Sequence, residues 1–179
     1  MTDGKTPGKT PAKAAAPSEG PRAGETAPPF VAPALGEAAE EGVFDLSKTR
    51  GRWVALYFYP KDDTSGCTLE AQEFTALKAE FAALGALVVG VSRDPLKAHE
   101  KFRLKHGLEL DALVSDPEGE VCQAYGVWVE KSMYGKKYMG IERATWLIDP
   151  QGVARRVWRK VRPEGHAAET LAVLRAQIL

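Results

Sequence analysis

Cys67 is the next-to-last residue of the run YFYPKDDTSGCT (residues 57–68), where an apolar stretch gives way to a segment with helical spacing. A thiol at a helix start faces unpaired backbone N–H groups and the positive end of the helix dipole, and both favour the thiolate. The chemistry this points to is nucleophilic attack by sulfur. Thr64 stands three residues before Cys67 and Pro60 seven, giving P-x-x-x-T-x-x-C directly after the apolar run. Thr64 suits a helix cap, while Pro60, rigid and without an N–H, fixes the turn and shields the sulfur from water. The other thiol, Cys122 in EVCQAYGV, has the pattern of a small buried hydrophobe. There is no C-x-x-C, and His99, His106 and His166 are scattered without metal-ligand spacing. The histidines are therefore read as surface residues and no metal site is expected. Glu70 and Glu73, near the helix start, suit its dipole rather than acid–base work.

The elements that position Cys67 can be read on either side of it. WVALYFY (residues 53–59) is an apolar, β-branched and aromatic run, the signature of a central strand buried on both faces. Phe74, Leu77, Phe81 and Leu84 recur at helical steps before Gly85, so a helix is expected from Ser65–Cys67 to about residue 84. LVVGV (residues 87–91) reads as a second buried strand, parallel to the first. A second helix is expected over Pro95 to His106, with Asp94 as N-cap, Pro95 at the first position and Gly107 as the stop. A short strand near Leu113, a short helix over Glu120 to Tyr125, and a hairpin from Ala144 through Asp149-Pro-Gln-Gly152 to Trp158 follow. Leu171, Leu174 and Ile178 mark an amphipathic C-terminal helix. Upstream, Pro28, Pro29 and Pro33 favour extended backbone, and Val43 to Leu46 fits a short strand. Trp128 and Trp146 are expected in the core or lining a pocket, and Lys131, Lys136 and Lys137 in a solvated loop.

The chain has 179 residues, with 24 lysines and arginines against 24 aspartates and glutamates. That length supports one domain, and the charge balance gives no field for nucleic acid or an anionic membrane. Residues 1–21 are Lys-, Pro- and Ala-rich with almost nothing to bury, so they read as a disordered tail ahead of a domain over 22–179. Two cysteines are too few for a secreted disulfide scaffold, and no apolar run reaches the roughly 18 residues of a membrane span. A reduced, cytoplasmic setting is the expectation.

The segment FYPKDDTSGCTLE, the downstream run SDPEGEVCQAYGVWVEKSMYGKKYMGIERATWLIDPQG and the order of elements together resemble the peroxiredoxin family, most closely its bacterioferritin-comigratory or PrxQ branch. The likeness runs from about Arg22 to the C-terminus. It implies an α/β, thioredoxin-like fold: a mixed central sheet flanked by helices, with the peroxidatic cysteine at the start of the first long helix. It also implies Cys67 as that cysteine, with Thr64, Pro60 and Arg143 as the other catalytic members, and a monomer. No metal, haem or flavin is implied, so the cofactor expectation is none. Thr64 takes the place of the first cysteine in a thioredoxin C-x-x-C, which argues against dithiol exchange within that motif.

Ionisation alone cannot make such a peroxidase. A free cysteine is about 3% thiolate at pH 7, so full ionisation gains roughly 30-fold, about 2 kcal/mol. Lowering a thiol's pKa also weakens its nucleophilicity. Donors aimed at the departing peroxide oxygen are worth roughly 3 to 4 kcal/mol each, and the Thr64 hydroxyl, the Cys67 N–H and Arg143 are expected to supply them. The product is a sulfenic acid that a thiol must reduce. Many PrxQ members carry a second cysteine five residues after the first, and here that position is Gln72. The expected partners are a peroxide substrate and an external thiol such as thioredoxin or glutathione. A thiol–disulfide oxidoreductase and a non-enzymatic redox-sensing or chaperone module on the same fold are the alternatives.

Overall fold

The structure, a computed structural model, describes residues 19–179. The expected tail lies outside the described residues as far as Ser18. Glu19, Gly20 and Pro21 are described, and two of their carbonyls are held: Trp146 Nε1 donates to Pro21 O and Arg159 Nη1 to Glu19 O, each at 2.9 Å.

A seven-stranded mixed sheet forms the frame, in the order β2-β1-β5-β4-β3-β8-β9. Strands β3 (Trp53–Phe58), β4 (Ala86–Ser92) and β5 (Ala112–Ser115) run parallel, and β8 (Ala144–Ile148) and β9 (Ala154–Trp158) add antiparallel beyond β3. On the other side β1 (Val31–Leu35) and β2 (Val43–Asp45) also add antiparallel. The middle place belongs to β4, with β3 between β4 and β8, so WVALYFY is an interior strand rather than the central one. β1 forms although Pro33 lies within it, a position that read from sequence only as extended backbone.

Strand alternation divides the core in two. Ala55, Tyr57 and Tyr59 of the β3 segment point to the face covered by α1 (Ser65–Ala83), α2 (Leu96–His106) and α4 (His166–Ile178). Val54, Leu56 and Phe58 point the other way, toward Val121, Cys122 and Tyr125 in and after the short helix α3 (Glu120–Ala124). Cys67 lies in the first cluster and Cys122 in the second.

Two expectations about elements change. The N-cap of α2 is Pro95, not Asp94, because the Asp94 carboxylate is used elsewhere: its Oδ2 accepts from the Ser92 hydroxyl at 2.6 Å and the Asp62 N–H at 2.9 Å. The lysine-bearing segment read as a loop is a separate two-stranded hairpin, β6 (Trp128–Met133) and β7 (Lys136–Ile141). Its turn is Tyr134-Gly135, both left-handed at φ 50° and 77°, as a two-residue hairpin turn of matching twist requires. The hairpin reads poorly from sequence because most of its side chains face solvent and no apolar alternation marks it.

Candidate active site

Chain direction reverses between the end of β3 and the start of α1, and residues 59–67 make the turn. Tyr59 N–H still pairs with Val91 O at 3.1 Å, and Thr64 is the N-cap residue of α1 with extended backbone. Cys67, Glu70, Ala71 and Phe74 form the buried stripe of α1, at the i, i+3, i+4 and i+7 spacing of one helical face. Cys67 is only 1% exposed.

Arg143, just before β8, reaches across to this stripe. Its Nη1 donates to Glu70 Oε1 at 2.9 Å and its Nη2 to Cys67 Sγ at 3.5 Å. One planar guanidinium therefore grips a carboxylate and a sulfur with separate N–H groups, which a lysine could not do. Burial works against the Arg143 charge, but Glu70 and Cys67 outweigh it and hold the guanidinium above its ordinary range. Burial pushes the Glu70 carboxyl up to about 7, against the pull of Arg143. The Gly66 backbone leaves room for this approach: a Cβ there would lie 3.2 Å from Arg143 Nη2.

The expected residues come together unequally. Cys67 and Arg143 are in contact. Thr64 is exposed, makes no side-chain cap bond, and donates its hydroxyl proton to Lys61 O at 2.8 Å. That leaves its lone pairs free, so in this state Thr64 can accept from a peroxide O–H rather than donate to the departing oxygen as expected. Pro60 is half-buried and lines a cleft of about 520 Å³ together with Lys61, Arg93, Trp128, Lys131 and Met139. Trp128 is fixed there by Arg93, whose guanidinium carbon sits 4.3 Å above the ring. Lys131 belongs to the same wall, and burial and Arg143 lower its pKa.

Several residues were read differently from sequence. Glu70, read only as suiting the helix dipole, is wholly buried and paired with Arg143, and its spacing of three from Cys67 was the available signal. Tyr57 lies beneath it, stacked on Phe74 at 4.7 Å between centroids, and burial raises its phenol far above its ordinary range, so it stays protonated. His99 and His166 are buried rather than on the surface. His166 Nε2 lies 2.8 Å from Thr145 Oγ1, and burial lowers its pKa to about 4. His99 meets Asp62 and Asp94 in one cluster whose ligand-type atoms lie within 4.8 Å of one another. Its polar atoms already have protein partners: Asp62 Oδ2 and Val114 O for His99, Tyr59 OH for Asp62 Oδ1, and Ser92 and Asp62 N–H for Asp94. Hydrogen bonding accounts for the cluster without an ion.

The sequence profile of the AhpC/TSA family matches residues 23–157. The chain belongs to this family. Within the AhpC/TSA family its relatives are of the Bcp or PrxQ kind: it is 46% identical to the putative peroxiredoxin Bcp of Coxiella burnetii, over 80% of this chain and 95% of that one. Peroxiredoxin Bcp of Bacillus subtilis is 47% identical, over 73% and 82%. Among solved structures, Xanthomonas campestris bacterioferritin comigratory protein, studied for alkyl peroxide reduction, superposes with a TM-score of 0.76 at 41% identity, over 84% of this chain and 92% of that one. A PrxQ mutant from Xylella fastidiosa superposes at 0.79 and 36% identity, over 90% and 100%. This AhpC/TSA chain is thus a peroxiredoxin with the thioredoxin-like fold, an enzyme that reduces peroxide at the expense of a thiol.

Proposed function

We propose that Cys67 is the sulfur this peroxidase uses, and that it acts on hydrogen peroxide and alkyl hydroperoxides. The observation that carries the reading is the Arg143 guanidinium held between Glu70 and Cys67 Sγ. A thiolate at Cys67 attacks one peroxide oxygen, the S–O bond forms as the O–O bond breaks, and the departing oxide takes a proton to leave as water or alcohol. Sulfur is oxidised to sulfenic acid and the peroxide is reduced. Arg143 stabilises negative charge on the sulfur and the departing oxygen, Thr64 orients the incoming O–H, and Pro60 walls the site from water. The cleft of about 520 Å³ beside Pro60 leaves room for an organic tail, in keeping with the alkyl peroxide activity named for the Xanthomonas relative.

Recycling falls to an outside thiol, with a thioredoxin-type reductant as the partner. Cys122 lies on the opposite face of the sheet, in the other core cluster, and is wholly buried. Burial, with Asp116 beside it, raises its thiol pKa far above the ordinary range, which removes it as a nucleophile. One external thiol forms a mixed disulfide with Cys67 and releases water; a second frees Cys67. Two unpaired thiols suit a reducing compartment, the cytoplasm. The three-residue outer strand β2 offers little backbone for pairing with another copy, in keeping with a monomer. None of the described helices is long and apolar enough to cross a membrane. Peroxide consumption with a thioredoxin system tests the reading: Cys67→Ser abolishes it and Cys122→Ser leaves it, whereas activity surviving in Cys67→Ser overturns it.

A further inference from the structure

The turn that delivers Thr64 and Cys67 is gripped by α2 from two sides. On the inside, Asp62 is buried, and each carboxylate oxygen has a short partner: Oδ1 accepts from Tyr59 OH at 2.6 Å, and Oδ2 lies 2.6 Å from His99 Nδ1. The Asp62 N–H is taken by Asp94 at 2.9 Å. On the outside, Asp63 meets Lys105 at 2.8 Å and His106 at 2.7 Å. His99 and His106 are seven residues apart on α2, two turns along one face. Asp63 is left-handed at φ 59°, a conformation a non-glycine residue holds only when its surroundings enforce it.

The inner pair is joined by one short hydrogen bond. His99 Nε2 lies 2.9 Å from Val114 O, a pure acceptor, so Nε2 carries hydrogen. A hydrogen bond of 2.6 Å then joins Nδ1 to Oδ2, with Tyr59 OH 3.4 Å from the same Nδ1, and every polar atom named has a protein partner. Such a pair in the interior is a poor source of stability, since apolar residues of like volume serve the fold as well. What it does supply is direction, because it fixes Asp62, two residues before Thr64, against a helix that does not itself touch Cys67 Sγ by a hydrogen bond.

We propose that Asp62 and His99 are positioning residues of the peroxide reaction, a buried clamp that holds the Pro60–Thr64 turn so that Thr64 and the first turn of α1 meet the peroxide in attacking geometry. This rests on Cys67 being the attacked sulfur. Release of the clamp loosens the turn, which spoils alignment with Arg143 and at the same time uncovers a sulfur that is otherwise 1% exposed. The clamp therefore affects two reactions of the same thiol in opposite senses. Peroxide needs alignment, and an alkylating agent such as iodoacetamide needs only a reachable thiolate.

The experiment compares both rates at Cys67, by rapid quench and mass spectrometry, in wild type, Asp62→Ala, His99→Gln and Asp62→Asn, below the unfolding midpoint of each. Asp62→Ala and His99→Gln are expected to oxidise about 10- to 100-fold more slowly, the loss that a displacement near 1 Å brings, while alkylation holds or quickens. Asp62→Asn is the conservative control: its carbonyl accepts from Tyr59 and its amide donates to unprotonated Nδ1, so it recovers to within about threefold of wild type. Wild-type oxidation rates in both Asp62→Ala and His99→Gln overturn the clamp, as does an equal slowing of oxidation and alkylation. Should Asp62→Ala not fold, His99→Gln against Asp62→Asn gives the same discrimination. If wild-type protein is oxidised elsewhere than Cys67, it is the reading of the site that fails, and the two failures are told apart.

Discussion

At the scale of single residues, the site turns on one guanidinium with two tasks. Arg143 holds Glu70 with Nη1 and Cys67 with Nη2, so charge and orientation come from one side chain. Lysine keeps the charge but has no planar fork to span both partners. Arg143→Lys should lower the second-order rate of Cys67 oxidation roughly 100-fold, the scale of losing one preorganised donor, while the protein stays folded by circular dichroism. A loss under threefold would contradict the bridging role. That Cys67, Thr64 and Pro60 lie together between β3 and the first turn of α1 was legible in sequence, because their mutual spacing is local. Arg143 was legible only through family resemblance, since nothing near it in the chain marks an arginine that must reach a helix seventy-odd residues earlier. Glu70 was misread for a related reason. Its neighbours in sequence describe a helix start, and burial is decided by what packs from elsewhere.

At the scale of elements, apolar runs and stop signals identified β3, α1, β4, α4 and the β8–β9 hairpin, because each buries a face whose period shows in sequence. The exposed β6–β7 hairpin and the proline-bearing β1 have no such period. Asp94 shows how local capping rules give way: next to Pro95 it has the form of a cap, yet its carboxylate serves Ser92 and the turn before α1. Gly90 in β4 is another case where a distant contact decides. A Cβ there would lie 2.9 Å from the Cζ and hydroxyl of Tyr57, the ring stacked beneath α1. Gly90→Ala should cost about 1–3 kcal/mol, read from the urea midpoint, by forcing that ring against Phe74. An unchanged midpoint would mean the ring has slack the packing does not indicate.

Across the whole molecule, the sheet separates the two thiols and two buried titrating groups oppose each other. Glu70 is raised from its ordinary 4.5 to about 7, so its contribution to stability is present below pH 4.5 and lost as pH rises through 7. His166 is lowered from 6.5 to about 4, so its contribution is present above pH 6.5 and lost as pH falls toward 4. Over most of that interval the slopes have opposite signs. Glu70→Gln removes the first and should make the urea midpoint climb more steeply with pH between about 4.5 and 7 than in wild type; an identical slope in the two proteins would contradict a buried, proton-binding Glu70. The placement of Cys122 across the sheet could not be read from its local pattern, although its burial could, because strand alternation assigns faces only once the order of strands is known. That placement makes the fate of one sulfur the central question. The most direct measurement is dimedone trapping after one equivalent of peroxide, followed by peptide mapping. A single adduct is expected on Cys67 with Cys122 unmodified, and an adduct on Cys122, or a Cys67–Cys122 disulfide in stoichiometric yield, would contradict Cys67 as the reacting sulfur.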